Sequence, residues 1–356
     1  MGTRALLVSG FWGQNIGNAF FNLGGHELLK RAGLDVHFIQ DSPAYWTFRN
    51  ERRGRYRNSY RLLEHLEFDL LVLQGPLFTD NFANIWADEL QSLQRAGKRW
   101  AVVGGAFRKY SESEAVVARS VFESAPPLFV STRDRPTYEA LHEWVPRAHS
   151  GIDSAFFLPE AYEPPRLRHP IIALAFDHFG EPRLEIDGDG PIEVEGQRYA
   201  PRFDRWADAA ASKTKAHAMA YQSLRLHRFS SQSRPTELGG HTIVRPDHRT
   251  NPHLPFKIYQ QPNSIASDEP WTYLAVYAGS LLTYSDRVHA CVSTLAYGNP
   301  AMLHNPTTKR NALFESVGAT SISAKPVTIS QELRTNQLAE TTRFVRESLA
   351  DGGPSR

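Results

Sequence analysis

Residues 5–18 read Ala5-Leu6-Leu7-Val8-Ser9-Gly10-Phe11-Trp12-Gly13-Gln14-Asn15-Ile16-Gly17-Asn18. A short, unbroken apolar run that ends in turn residues is the pattern of a strand buried on both faces. From Ile16 onward the apolar residues Ile16, Phe20, Leu23, Leu28 and Leu29 fall roughly on one helical face, and Gly33 closes the pattern. Buried strand, glycine-rich turn and helix together make the first half of a βαβ unit, so the opening of the chain predicts a parallel sheet.

The same alternation continues outward. Strands are expected at 36–39, 68–73, 100–103 and 128–131, with helices at 61–66, 86–96, 112–124 and 137–144. The composition then changes at Glu163-Pro164-Pro165-Arg166-Leu167-Arg168-His169-Pro170, where prolines favour extended chain, and this stretch is expected to be a linker. A second α/β series follows: strands at 171–176, 242–245, 281–284 and 301–303, helices at 204–229, 270–279, 286–297 and 332–349. Residues 180–196, rich in glycine, proline and acidic side chains, read as a hairpin-like insertion. The expected division is 1–163, 164–328 and a C-terminal helix and tail at 329–356.

At 356 residues the chain has length for two domains. Apolar residues make up 41% and charged ones 22%, which excludes disorder of the whole chain. Forty Lys+Arg against thirty-eight Asp+Glu leave a net charge of +2, so global attraction to nucleic acid is not expected. Cys291 is the single cysteine, which rules out an intrachain disulfide and a cysteine-rich zinc site. No apolar run is long enough for a membrane helix, and the N-terminal run is too short for a signal core. A cytoplasmic location is expected, with peripheral membrane contact left open.

Four segments carry candidate chemistry. In the turn after the first strand, Asn15, Gly17 and Asn18 stand where helix N–H groups favour an anion and glycine lets a ligand approach; a purely structural turn is the alternative. Its spacing fits neither a P-loop nor a dinucleotide fingerprint. In Ser131-Thr132-Arg133-Asp134-Arg135-Pro136-Thr137, Arg133 at a strand end can hold a carboxylate or phosphate, while Asp134 can orient it or cap the next helix. In Tyr284-Ser285-Asp286-Arg287-Val288-His289-Ala290, Arg287 and His289 combine an anion clamp with a titratable acid at a strand–helix junction. After the next strand, Lys309 offers a further cation facing the same cleft, or an ordinary surface lysine.

His241, His248 and His253 cluster near Arg245 and Arg249, but no metal-ligand spacing occurs; no metal is expected, and a polar interdomain loop is the simpler reading. No Gly-x-Ser-x-Gly elbow is present. Phe11, Trp12, Trp46 and Phe48 can stack on a sugar ring, or belong to the core.

Taken together, these segments resemble the polysaccharide pyruvyl transferase family. The likeness rests on Ser285-Asp286-Arg287-Val288-His289-Ala290, the helix running to Gly298-Asn299-Pro300, Lys309, and Leu313-Phe314-Glu315-Ser316-Val317-Gly318. Arg133-Asp134, Gly151-Ile152-Asp153-Ser154-Ala155-Phe156 and Asn15-Ile16-Gly17-Asn18 extend it. The chain departs from the pattern at Asn18, where an acidic residue is usual, at Val288, and at Gln74-Gly75-Pro76.

The resemblance implies a GT-B-like fold, two Rossmann-like domains with parallel sheets facing across a cleft, the N-terminal one on the acceptor side. It implies transfer of the pyruvyl group of phosphoenolpyruvate to hydroxyls of a sugar, glycan or lipid-linked glycan as a ketal, with release of phosphate. Phosphoenolpyruvate is then a co-substrate and no separate cofactor is needed. His289 and Arg287 take the catalytic and anion-clamping roles; Arg133, Lys309, Ser285, Asn15, Gly17 and Asn18 are expected to contact substrate. The alternatives are a GT-B glycosyltransferase using a nucleotide sugar and a non-catalytic glycan- or anion-binding member.

Overall fold

The computed structural model describes residues 2–10, 12–39, 62–177, 179–203, 234–248, 261–304 and 311–351. Phe11, Trp46, Phe48, the helix expected at 204–229, Arg249, His253 and Lys309 lie outside the described residues.

The first half of the chain forms a parallel six-stranded sheet. Its strands are β1 (Arg4–Val8), β2 (Asp35–Ile39), β3 (Leu70–Gln74), β4 (Arg99–Gly105), β5 (Val130–Thr132) and β6 (Ala148–Ser150), ordered β2-β1-β3-β4-β5-β6. β3 is buried along its whole length and so are the last four residues of β1, as their unbroken apolar runs require. Helices α1 (Gly17–Arg31), α2 (Phe82–Arg95), α3 (Glu112–Ser124) and α4 (Arg135–Leu141) make the connections. Two separate apolar clusters lie on either side of the sheet: Leu7 and Val72 join Phe20, Phe21 and Leu28 of α1, whereas Leu6 and Leu71 join Phe82, Trp86 and Phe122 of α2 and α3. Alternate residues of one strand thus feed opposite layers.

The second half builds a sheet ordered β11-β12-β7-β14-β15, with β13 beside β12. The strands are β7 (Ile171–Ala175), β11 (Glu237–Leu238), β12 (His241–Pro246), β13 (Ser264–Ile265), β14 (Ser280–Ser285) and β15 (Ala301–Leu303). All its pairings are parallel except β11 with β12. α6 (Trp271–Ala278) and α7 (Val288–Ala296) flank β14 in the chain. The insertion expected at 180–196 extends to residue 202 and is a three-stranded antiparallel sheet: β8 (Arg183–Ile186), β9 (Ile192–Val194) and β10 (Gln197–Arg202), in the order β8-β10-β9.

One apolar cluster spans both halves. Phe20 and Phe21 of α1, Ala155 and Phe156 of a 3-10 turn (Ser154–Phe157), and Ala290, Cys291 and Leu295 of α7 all belong to it. The close approach depends on Gly24, where a Cβ would lie 1.8 Å from the Ser154 carbonyl oxygen. α5 (Leu158–Ala161) follows the 3-10 turn, α8 (Ala312–Glu315) follows β15, and the last helix, α9 (Gln331–Asp351), packs back onto the first half. There Arg334 donates to Glu160 at 2.5 Å and to the Phe156 carbonyl at 3.2 Å, and Phe344 stacks on His149.

Candidate active site

The candidate residues converge where the carboxyl ends of both parallel sheets meet, the usual place for ligands in open α/β sheets. From the first sheet come the turn after β1 (Asn15, Gly17), the residue after β5 (Arg133) and Asp153, three residues past β6. From the second come Asp177 after β7 and Asp286, Arg287 and His289 after β14.

The β14–α7 junction is built first by its own backbone. Ser285 donates its hydroxyl to the Ala175 carbonyl at 2.7 Å and accepts the Arg287 N–H at 2.8 Å. Asp286 accepts N–H bonds from Asp177 and from Phe179, the latter at 2.7 Å. Burial, reinforced by the charge of Asp177, pushes the Asp286 carboxyl up. Arg287 is the N-cap residue of α7, and His289 follows in the first turn, where helix N–H groups add partial positive charge.

Arg287 reaches across to the first half. Its Nη2 donates to Asn15 Oδ1 at 2.6 Å, and its Nε lies 3.5 Å from Asp177 Oδ2. Its side chain is only 8% exposed. Asn15 is held in turn, donating from Nδ2 to Asn18 Oδ1 at 3.1 Å. Ile16 donates its N–H to the His248 carbonyl at 3.0 Å, and His248 is buried; of the stretch expected to be an interdomain loop, His241 and Arg245 belong to β12, and residues 249–260 lie outside the described residues.

His289 also crosses. Its ring lies over Gly17, where a Cβ would be 3.1 Å from His289 Cβ and 3.2 Å from Nδ1, and it packs 5.4 Å from the Phe21 ring. Its Nε2 is 3.5 Å from Asp153 Oδ2, an ion-pair contact without hydrogen-bond alignment. Arg133 donates from Nη1 to that same oxygen at 3.0 Å. The side chains of His289, Arg133 and Asp153 are 13%, 12% and 1% exposed. Among the described residues, neither His289 Nε2 nor Arg133 Nε has a hydrogen-bond partner, although both atoms are buried. Buried donors of this kind are uncommon and call for a ligand or a functional reason.

The electrostatics follow from these contacts. Burial pushes the Asp153 carboxyl up, but His289 and Arg133 beside it outweigh burial and hold it well below the usual carboxylate range. Burial works against the Arg133 charge, and Asp153, Tyr110 and Asp134 more than restore it. Tyr110 donates its hydroxyl to Asp134 Oδ2 at 2.9 Å, and burial drives its phenol up.

The structure therefore brings Arg287, His289, Arg133, Asn15 and Gly17 to one place. Asn18 stands behind Asn15 as its acceptor. Ser285, expected to touch substrate, is fully buried and uses its hydroxyl to shape the turn. Asp134 caps α4, accepting the Thr137 N–H at 2.9 Å. Asp153 enters the sequence only within a motif; nothing local shows that it meets both Arg133 and His289. Among the described residues, no group of three or more His, Cys, Asp or Glu side chains is arranged to hold a metal ion.

A family model of polysaccharide pyruvyl transferases matches residues 15–303, a span that includes Asn15, Arg133, Asp153, Arg287 and His289. The chain belongs to the polysaccharide pyruvyl transferase family. No protein of curated function matches it. Its fold is similar to that of a UDP-N-acetylglucosamine 2-epimerase from Rickettsia bellii, at 9% identity and a TM-score of 0.50, covering 99% of this chain and 97% of that one. A UDP-GlcNAc 2-epimerase from Neisseria meningitidis, solved bound to UDP-GlcNAc, is similar at 13% identity and a TM-score of 0.47, covering 97% and 94%. This pyruvyl transferase family member is thus GT-B-like, an α/β protein with parallel sheets, as the sequence motifs imply. No helix among its described residues is long and apolar enough to cross a membrane.

Proposed function

We propose that the protein transfers the pyruvyl unit of phosphoenolpyruvate to hydroxyls of a glycan acceptor as a ketal. The observation that carries this proposal is the pair of buried, unpartnered donors, Arg133 Nε and His289 Nε2, beside Arg287. Phosphoenolpyruvate presents a phosphate and a carboxylate, and such a ligand needs several directed donors, as planar guanidinium groups supply.

The reaction divides among these residues as follows. Arg287 and Arg133 bind the donor's anionic groups. His289, as imidazolium, gives a proton to the C3 methylene, which becomes a methyl group, and C2 acquires oxocarbenium character. An acceptor hydroxyl adds to C2 and gives up its proton. The C2–O bond to phosphate breaks, and phosphate leaves with its electron pair. A second hydroxyl of the same sugar adds to C2 with loss of its proton, closing the ketal. The two hydroxyl protons balance the one now in the methyl group and the one carried by phosphate. A positioned general acid contributes roughly 10²–10⁴-fold.

Calorimetric titration of phosphoenolpyruvate into the wild-type protein and Arg287→Ala tests the donor assignment, with UDP, GDP and dTDP as parallel titrants. Saturable binding of phosphoenolpyruvate, lost in Arg287→Ala, is expected. Binding of one nucleotide and none of phosphoenolpyruvate would overturn the assignment in favour of a nucleotide-sugar glycosyltransferase.

A further inference from the structure

Asp153 is the point at which cationic groups from the two halves meet, and its own placement is rigid. It is the N-cap of the Ser154–Phe157 turn, and its Oδ1 accepts the Ala155 N–H at 2.9 Å. That bond leaves Oδ2 aimed at Arg133 Nη1, 3.0 Å away, and at His289 Nε2, 3.5 Å away. The next residue, Ser154, is wedged against α1 at Gly24, so the backbone carrying the carboxylate has little room to shift.

The His289 ring is confined on its other sides by Gly17 and Phe21. Those contacts restrict the ring but supply no polar partner for Nε2; Asp153 is the charged group facing it from the first half. Among the described residues, the other charged groups at this junction are Arg133 beside Asp153, and Arg287, Asp286 and Asp177 where α7 starts.

We propose that Asp153 is a positioning residue that fixes the His289 ring across the interface and holds Arg133 beside it. A carboxylate facing a ring N–H selects the tautomer and the orientation of an imidazole, and it stabilises the imidazolium that an acid catalyst must be before it gives up its proton. Because the carboxylate and the ring belong to different halves, the acid is complete only when the halves are packed together. The catalytic part of this inference rests on the roles proposed for His289 and Arg133.

Asp153→Asn keeps an N-cap acceptor and removes the charge. Asp153→Ser also caps, and serves if the first variant fails to fold. In phosphate release from phosphoenolpyruvate, Asp153→Asn is expected to lower kcat roughly 10²-fold, the cost of a misplaced catalytic group, with a smaller change in KM. In a His289→Gln background the same substitution is expected to change kcat less than about twofold, because residues acting as one unit are not additive. Equal losses in both backgrounds would overturn the inference. A second readout needs no donor: in ¹⁵N-histidine spectra of the free protein, the His289 Nε2 resonance, assigned by its loss in His289→Gln, is expected to move in Asp153→Asn. An unmoved resonance would overturn the positioning role. If the resonance moves but wild-type protein neither binds nor turns over phosphoenolpyruvate, the donor assignment falls and the positioning of His289 stands.

Discussion

Gly17→Ala separates stability from function in this protein. Gly17 is the first residue of α1, and the His289 ring rests on it. A methyl group there would meet His289 Cβ at 3.1 Å, Nδ1 at 3.2 Å and Asn15 Oδ1 at 3.4 Å. Carbon contacts are most favourable at about 3.5–4.0 Å, so either the ring or the helix has to retreat by about 0.5 Å. The helix is the stiffer of the two. At Gly24 it touches the Ser154 backbone so closely that a Cβ there would sit 1.8 Å from the carbonyl oxygen. The ring, held by Asp153 at ion-pair distance, is the part that yields.

A misplacement of about 1 Å in a catalytic group costs up to roughly 10²-fold, so half that displacement is expected to cost roughly tenfold in kcat/KM. The fold should not suffer in proportion. Alanine is a better helix former than glycine by about 1 kcal/mol in a helix interior; at the first position of α1 the gain is smaller and offsets part of the crowding. The assay is phosphate release from phosphoenolpyruvate, paired with equilibrium urea unfolding of the same preparation. Expected is an unfolding free energy within about 1 kcal/mol of wild type together with the tenfold loss in kcat/KM. Full activity with an unchanged unfolding curve would refute the view that His289 is held in place by the close approach to Gly17.

Two further outcomes are expected. His289→Ala should keep the fold, since its ring is not part of either sheet's core, and should lose roughly 10²–10⁴-fold in turnover, read by phosphate release; near-wild-type turnover would remove His289 from the mechanism. Tyr110 is expected to make the protein sensitive to alkali. Burial raises its phenol in the folded state, so the stability it contributes is complete below about pH 10, the ordinary phenol value, and is lost as pH rises toward the folded value. Tyr110→Phe should flatten that alkaline loss in unfolding experiments, and an unchanged alkaline slope would show that the phenol is not its source.

The parallel sheets were legible in the sequence because a strand buried on both faces has to be apolar throughout. β7 meets that condition at every position, β3 departs from it only at Gln74 and β1 only at Arg4. β6 does not. Its Ala148-His149-Ser150 is polar and only partly buried, and it is a strand because it pairs with β5, Val130 opposite Ala148. α2 starts four residues before the expected helix at 86–96, with Phe82 and Ile85 of its first turn buried.

At the candidate site the chemistry-bearing residue types were legible and their partners were not. Arg287 and His289 stand out in a local motif, but that Arg287 would bond Asn15, 272 positions away, depends on how the halves pack. Asp153 and Arg133 are twenty positions apart on different loops. Ser285, which the family resemblance places among the substrate contacts, is fully buried, and its hydroxyl is satisfied by nearby backbone at the strand end.

The charge balance at the junction also bears on how a multiply charged donor would be held. Arg133 already faces Asp153, and Arg287 already faces Asp177. Burial and the charge of Asp177 raise the Asp286 carboxyl, and the N–H groups of Phe179 and Asp177 oppose that rise. With both arginines matched by carboxylates, an anion gains little there from excess positive charge. Affinity has to come from directed donors that the carboxylates leave unused, of which Arg133 Nε is one. A hydrogen bond to a charged group contributes about 1.5–3 kcal/mol when its geometry is good, and leaving such a donor buried without a partner costs a comparable amount. A ligand oxygen that accepts from such a donor removes that cost, and the donors stand on both halves, Arg133 on the first and His289 on the second. The packing between halves, Gly24 on Ser154 and Ile16 on His248, is in this sense part of the site.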